Sequence, residues 1–168
     1  ATADALQNGW LHSGDIGEFD ERGFLRITDR KKDLIITAGG KNVAPQNIEK
    51  LLRRIQGIGQ AVVIGDRRKF LTALLTIDAE VSPDFVREHD WPTDPTVLAV
   101  NPNFVDHVQA GVDAANAELA RYETIKRFAI LPADFTVEGG ELTPTQKVKR
   151  AVVRDKYASE IERLYENA

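Results

Sequence analysis

The spacing of apolar residues changes along this chain, and each change marks a different kind of element. The segments IGEF (16–19) and GFLRIT (23–28) flank Asp20-Glu21-Arg22-Gly23. Asp in the first turn position and Gly in the fourth suit a type I turn, so a β-hairpin is expected there. Residues 34–37 read as a short β-branched strand closed by Gly39 and Gly40. Pro45 then opens a helix, because its fixed φ and missing N–H are harmless at a first helical position. Ile48, Leu51, Leu52 and Ile55 fall at i, i+3, i+4 and i+7, a single apolar stripe, and Gly57 stops the helix. Two strands follow, at 61–64 and 71–77, separated by the turn-like GDRRK. Ser82-Pro83 and Asp94-Pro95 are both helix-start signals. Val105, Val108, Val112, Ala115, Leu119 and Tyr122 mark a longer helix, and residues 128–131 a third core strand. The last helix carries Val148, Val152, Tyr157, Ile161 and Leu164 on its buried side. The expectation is an α+β fold: a small domain with a mainly antiparallel three-stranded sheet packed by helices, plus a β-hairpin unit at its N-terminal end.

Composition narrows the function classes. At 168 residues there is room for one ordinary domain with a real core and an appendage. A net charge of -4 argues against a general nucleic-acid binder. No apolar run approaches the roughly 18 residues that cross a bilayer. With no cysteine there is no thiol nucleophile and no cysteine-based zinc site, and a reducing compartment fits. The charge is uneven. Residues 1–25 hold Asp4, Asp15, Glu18, Asp20 and Glu21 against Arg22. Residues 26–54 hold Arg26, Arg30, Lys31, Lys32, Lys41, Lys50, Arg53 and Arg54 against Asp29, Asp33 and Glu49. Such a sign change suggests a seam, with a β segment over 1–29 and a separate domain over 30–168. The first residues read as mid-domain sequence and methionine is absent, so a piece of something longer is expected.

Three stretches are candidates for chemistry. RKKDLIITAGGKN (30–42) resembles a phosphate loop at first sight, but Ile35 stands where a Walker pattern needs Gly, and Asn42 where it needs Ser or Thr. Its glycines still let a ligand approach backbone N–H groups, while the plain reading is a tight turn on a cationic face. In GWLHSGD (9–15), Asp15 could accept hydrogen bonds from vicinal hydroxyls or simply bond its own turn. In ELTPTQKVKR (141–150), Thr143-Pro144-Thr145-Gln146 resembles a capping box. That would put Lys147 in a first helical turn, where the dipole disfavours a cation. A loop position, with the helix starting nearer Lys149, suits it better. His12, His89 and His107 show no metal-ligand spacing, and neither GxSxG nor HExxH is present.

In this order, GWLHSGD, FLRITDRKKDLIITAGGKNVAPQNIE and LTPTQKVKR resemble the closing third of an AMP-forming acyl-CoA synthetase of the adenylate-forming superfamily. NVAPQNIE and TPTQKVKR look most like the long-chain fatty-acid–CoA ligases. The resemblance implies two steps: a carboxylate attacks the α-phosphate of ATP, and the thiol of coenzyme A then displaces AMP. It implies a small C-terminal lid domain that rotates between the steps against the enzyme's own large N-terminal domain. By the motif match, Asp15 grips the ribose hydroxyls, Arg30 joins it at the nucleotide, and Ile27 lines the nucleotide pocket. Lys32 falls at the hinge. Gly39, Gly40 and Lys41 match the loop that approaches coenzyme A, and Lys147 matches the adenylation lysine. ATP, Mg2+ and coenzyme A are implied for the full-length enzyme, with nothing bound tightly to this piece, which would be inactive alone. No metal site, nucleic-acid partner or transmembrane segment is expected; a cytoplasmic setting with scope for peripheral membrane contact is. Two alternatives stay open: a ligase loading a carrier protein, and a noncatalytic module that binds a nucleotide or a partner.

Overall fold

The chain opens with two small antiparallel ribbons. β1 (Leu6–Gln7) pairs with β2 (Trp10–Leu11), and β3 (Asp15–Phe19) with β4 (Leu25–Arg30). The structure, a computed structural model, describes residues 6, 7, 9–78 and 83–166. The hairpin turn forms as the sequence implies. Gly23 donates its N–H to the Asp20 carbonyl at 2.9 Å, and the Asp20 carboxylate accepts from the N–H groups of Arg22 and Phe24. Trp10, Leu11, Phe19 and Phe24 are 64% to 75% exposed, an unusual number of large apolar side chains left to solvent on so short a segment.

β5 (Ile35–Ile36) and β6 (Asn42–Val43) form the next ribbon, around the turn that holds Gly39 and Gly40. α1 (Pro45–Leu52) starts at Pro45 as expected and buries Ile48 and Leu52 completely. Each such side chain contributes roughly 1.5–3 kcal/mol of burial free energy. Ile55 is also buried but lies beyond the helix, in the turn toward β7 (Ile58–Ile64).

β7, β8 (Leu71–Ile77) and a later strand make the central sheet, and every residue of its middle strand β8 is buried. Between β8 and that later strand lie α2 (Pro83–Glu88), α3 (Pro95–Leu98) and α4 (Pro102–Ala117). Ser82, the expected cap of α2, lies outside the described residues. Asp94 caps α3 by accepting from the Thr96 N–H at 2.8 Å, and Asn101 caps α4 at Phe104. α4 buries Phe104, Val108, Val112 and Ala115 but stops before Leu119, and Tyr122 is 47% exposed. The chain leaves the helix because the Asn116 amide takes both backbone groups of Ile125, at 2.7 and 2.9 Å. Those bonds start β9 (Ile125–Leu131).

β7 and β8 are antiparallel and β8 and β9 parallel, so the central sheet is mixed, whereas the ribbons are all antiparallel. A parallel neighbour needs a long crossover, and the α2–α4 segment provides it. Alternation along the strands separates two cores. Ala61, Val63, Leu71, Ala73, Leu75 and Ile77 pack with residues of α1 and α4. Val62 and Leu74 pack with Leu131, Phe135, Leu142, Val153 and Ile161 on the other face. The expected single last helix is two, α5 (Arg150–Lys156) and α6 (Ala158–Tyr165), broken at Tyr157 with φ -107° and ψ 28°. The residue buried from α5 is therefore Val153, while Val152 is 37% exposed.

Candidate functional site

The LTPTQKVKR stretch is a loop around Lys147, as expected, and a helix begins only at its last residue. Thr143 donates its N–H to the Lys147 carbonyl at 2.8 Å, and its hydroxyl accepts the Lys147 N–H at 3.0 Å. Gln146 adopts φ +58° to close the turn, Leu142 bridges to Val148, and Lys149 donates to the Glu141 carbonyl at 2.7 Å. The Thr hydroxyl that resembles a helix cap instead braces a tight β-like loop. α5 starts only at Arg150, and Lys147 stands exposed near the loop tip.

That loop faces the hairpin. Asp15, Ile27, Arg30 and Lys147 all line one cleft of about 470 Å³, together with Gln46, Glu49, Lys50, Arg53, Gln60 and Arg150. Asp15 opens β3 and Arg30 closes β4, directly across the ribbon, and their side chains pair at 3.0 Å. Asp15 thus holds an arginine, and its own N–H donates to the Ser13 hydroxyl at 3.2 Å. Ile27 is 56% exposed and offers an apolar wall. The register explains the convergence: Asp15 and Arg30 lie opposite each other at the open end of the hairpin, and β4 touches α1, whose Glu49, Lys50 and C-cap Arg53 line the same cleft.

The remaining sequence candidates lie elsewhere. Lys32 sits exposed in a turn just after Arg30 and lines a second groove of about 760 Å³ with Arg68, Lys149 and Arg154. Gly39, Gly40 and Lys41 form an exposed turn in which Thr37 and Lys41 bond across the base. Lys41 Nζ lies 5.8 Å from the centroid of the Tyr122 ring.

Sequence reading missed the floor of the cleft. Glu49 Oε1 and Oε2 each accept from Arg150, Nη1 and Nη2, at 2.7 Å, and Oε1 also takes the Val63 N–H at 2.8 Å. Burial pushes the Glu49 carboxyl above its ordinary value against the pull of Arg150. Glu141 is buried as well and accepts from Lys156 Nζ. Burial raises its carboxyl, but the hydrogen bond from Lys156 and backbone N–H groups outweigh this and hold it below the usual value. The signal that could have found Glu49 is its place beside Ile48, a charge on the edge of an apolar stripe. Among the described residues no group of three His, Cys, Asp or Glu side chains is arranged to hold a metal ion. Nor is any helix among them long and apolar enough to cross a membrane.

Residues 32–168 match the family described as AMP-binding enzyme C-terminal domain. The chain is 48% identical over 167 residues to the long-chain-fatty-acid–CoA ligase FadD15 of Mycobacterium tuberculosis, covering 98% of this chain and 28% of that protein. It is 38% identical over 189 residues to the long-chain-fatty-acid–CoA ligase ACSBG2 of Mus musculus, with 98% and 28% covered. Among solved structures, the adenylation domain of a carboxylate reductase from Mycobacterium chelonae superposes with a TM-score of 0.76 at 27% identity, covering 99% of this chain and 25% of that one. A Mycobacterium tuberculosis fatty acyl CoA synthetase gives 0.54 at 28% identity, covering 94% and 26%. The chain thus spans little more than a quarter of the length of the curated relatives it matches. The match over residues 32–168 and the 48% identity to the Mycobacterium tuberculosis ligase settle the family: the chain belongs to the AMP-binding enzyme C-terminal domain family.

Proposed function

We propose that this chain is the C-terminal part of an AMP-forming long-chain fatty-acid–CoA ligase. In this reading residues 1–29 complete the large adenylation domain and residues 30–168 are the mobile lid. Lys32 is the pivot. The observation that carries the reading is the shared cleft: Lys147 on its braced loop lines the same space as Asp15, Ile27 and Arg30.

Asp15 takes the ribose hydroxyls and Arg30 accompanies it at the nucleotide, while Ile27 lies against the apolar side of the base or sugar. Negative charge gathers on the α-phosphate as the fatty-acid carboxylate attacks. An ammonium aimed there stabilises the transition state more than the ground state, and Lys147 is that group. A long, flexible side chain suits a group that arrives with a moving domain. After pyrophosphate leaves, rotation at Lys32 withdraws Lys147 and presents the turn of Gly39, Gly40 and Lys41. The glycines leave backbone open to the pantetheine arm, and Lys41 meets a phosphate of coenzyme A. Magnesium would arrive with the triphosphate and supply charge neutralisation there. The large N-terminal domain covers the exposed apolar face of the ribbons. The cytoplasm holds ATP and coenzyme A together, and the acyl substrate allows contact with a membrane surface.

The test is acid-dependent ATP–pyrophosphate exchange and thioester formation by the full-length enzyme across fatty acids of several chain lengths. Activity with both ATP and coenzyme A supports the reading. Transfer to a carrier-protein thiol in place of coenzyme A would change the acceptor. No exchange with any acid would overturn the assignment.

A further inference from the structure

Among the described residues the buried acidic side chains are Glu49 and Glu141, and both grip the same short helix. Glu49 takes the Arg150 guanidinium with both oxygens at 2.7 Å. Glu141 takes the Lys156 ammonium. Arg150 and Lys156 are the first and last residues of α5.

This helix continues the Lys147 loop without a break, since Arg150 stands three residues beyond Lys147. The other root of the loop is Glu141, whose carbonyl is bonded to Lys149 at 2.7 Å. The two carboxylates therefore anchor both the loop's base and the helix into which it runs. Glu49 is itself fixed by the Val63 N–H on the central sheet. The path runs from β7 through Glu49 and Arg150 to the segment that presents Lys147.

Holding a domain together does not require such a pair. Buried ion pairs contribute little net stability compared with apolar packing of the same volume, and burial here works against the Glu49 carboxylate. What a forked guanidinium–carboxylate pair supplies is orientation, because two parallel bonds fix rotation as well as distance. A loop that must aim an ammonium at one phosphorus atom needs that.

We propose that Glu49, acting through Arg150, is a positioning residue that fixes the direction in which the Lys147 loop leaves the domain. The proposal rests on the assignment of Lys147 to the adenylation step.

The experiment uses the full-length enzyme with Arg150→Lys, Glu49→Gln and, in parallel, Lys147→Ala. Arg150→Lys keeps a cation beside Glu49 but gives up the fork. Glu49→Gln keeps an acceptor for Val63 and removes the charge. Each should lower kcat of ATP–pyrophosphate exchange about 10- to 100-fold, the scale of a small misplacement of a reacting group. KM for ATP should stay within about twofold, as expected when ground-state binding is untouched. Thioester formation from supplied acyl-adenylate should run at the parent rate.

If both half-reactions fall together, in step with the folded fraction measured by thermal melting, the pair is merely structural and the proposal fails. A rise in KM with kcat intact would make Arg150 a phosphate ligand and would also overturn it. Normal exchange in both variants alongside a dead Lys147→Ala enzyme refutes the positioning role alone. Normal exchange in Lys147→Ala refutes the functional reading beneath it. Should Arg150→Lys unfold at the assay temperature, Glu49→Gln carries the same test.

Discussion

Two loops of this domain each present a lysine, and they are built on opposite plans. The loop of 141–149 is closed at its base, at its middle and at its tip by backbone bonds, and is rooted in two buried carboxylates. The turn of 37–41 closes on itself and then opens outward. Gly40 adopts φ +72°, and nothing lies within 4 Å of where its Cβ would stand. Lys41 there rests near an exposed tyrosine ring, not in a buried frame. On the proposed reading, the lysine that meets the phosphorus is mounted on a braced loop. On the same reading, the surface that the pantetheine arm crosses is made by removing side chains.

The comparison can be broken most sharply at Lys147. Lys147→Ala in the full-length enzyme should reduce exchange by about 10²–10³-fold, the usual loss for one preorganised charge-stabilising donor. Thioester formation from supplied adenylate should survive, and equal loss in both halves would remove the division of labour between the loops. Lys32→Pro comes next. Proline locks φ and also drives Lys31 toward extended backbone. One half-reaction should slow several-fold while the other holds, as read by single-turnover rates of each. Unchanged rates in both would move the pivot elsewhere. Gly40→Val forces a β-branched residue into left-handed backbone, a penalty of about 1–2 kcal/mol. That should slow only the thioester half, by about 5- to 30-fold, seen as a drop in acyl-CoA formation with exchange intact.

The smallest effect concerns pH. The Glu141 carboxyl lies below its unfolded value of 4.5, so its stabilisation is complete above that pH and is lost as pH falls through the folded value. The Lys156 ammonium lies above its unfolded value of 10.5, chiefly through its hydrogen bond to Glu141. Its share is complete below 10.5 and is lost as pH climbs through the folded value. Glu49 runs the other way, because its raised carboxyl favours the acidic side. Thermal melting from pH 3 to 11 should fall at both ends, and Lys156→Met should abolish the alkaline fall attributable to this pair. An unchanged alkaline limb would mean that the pair does not anchor the helix.

Local chemistry was legible wherever one residue decides the outcome. Pro45 announced α1, Asp94-Pro95 announced α3, and Asp20 with Gly23 announced the hairpin turn. Pairing partners were harder to read. β8 meets β9 in parallel because a helical crossover intervenes, and nothing in the residues of 125–131 states that direction. TPTQ is ambiguous for a physical reason, and the disfavoured cation at Lys147 is what points to the loop. A threonine hydroxyl over a downstream N–H serves a helix cap and a tight loop equally well, and Gln146 at positive φ selects the loop. The split at Tyr157 leaves α5 a separate helix with an ion pair at each end, Arg150 to Glu49 and Lys156 to Glu141, which no local pattern states. For the cleft, motif order gave Asp15, Ile27, Arg30 and Lys147, which the fold gathers. Glu49 and Arg150 escaped because their meeting spans 101 positions of sequence.

The exposed apolar side chains of the opening ribbons have a practical outcome. Held at high concentration with Trp10, Leu11, Phe19 and Phe24 facing water, neighbouring copies of this chain will stick through them. Light scattering should climb with protein concentration, and polar replacements at those four positions should quiet it.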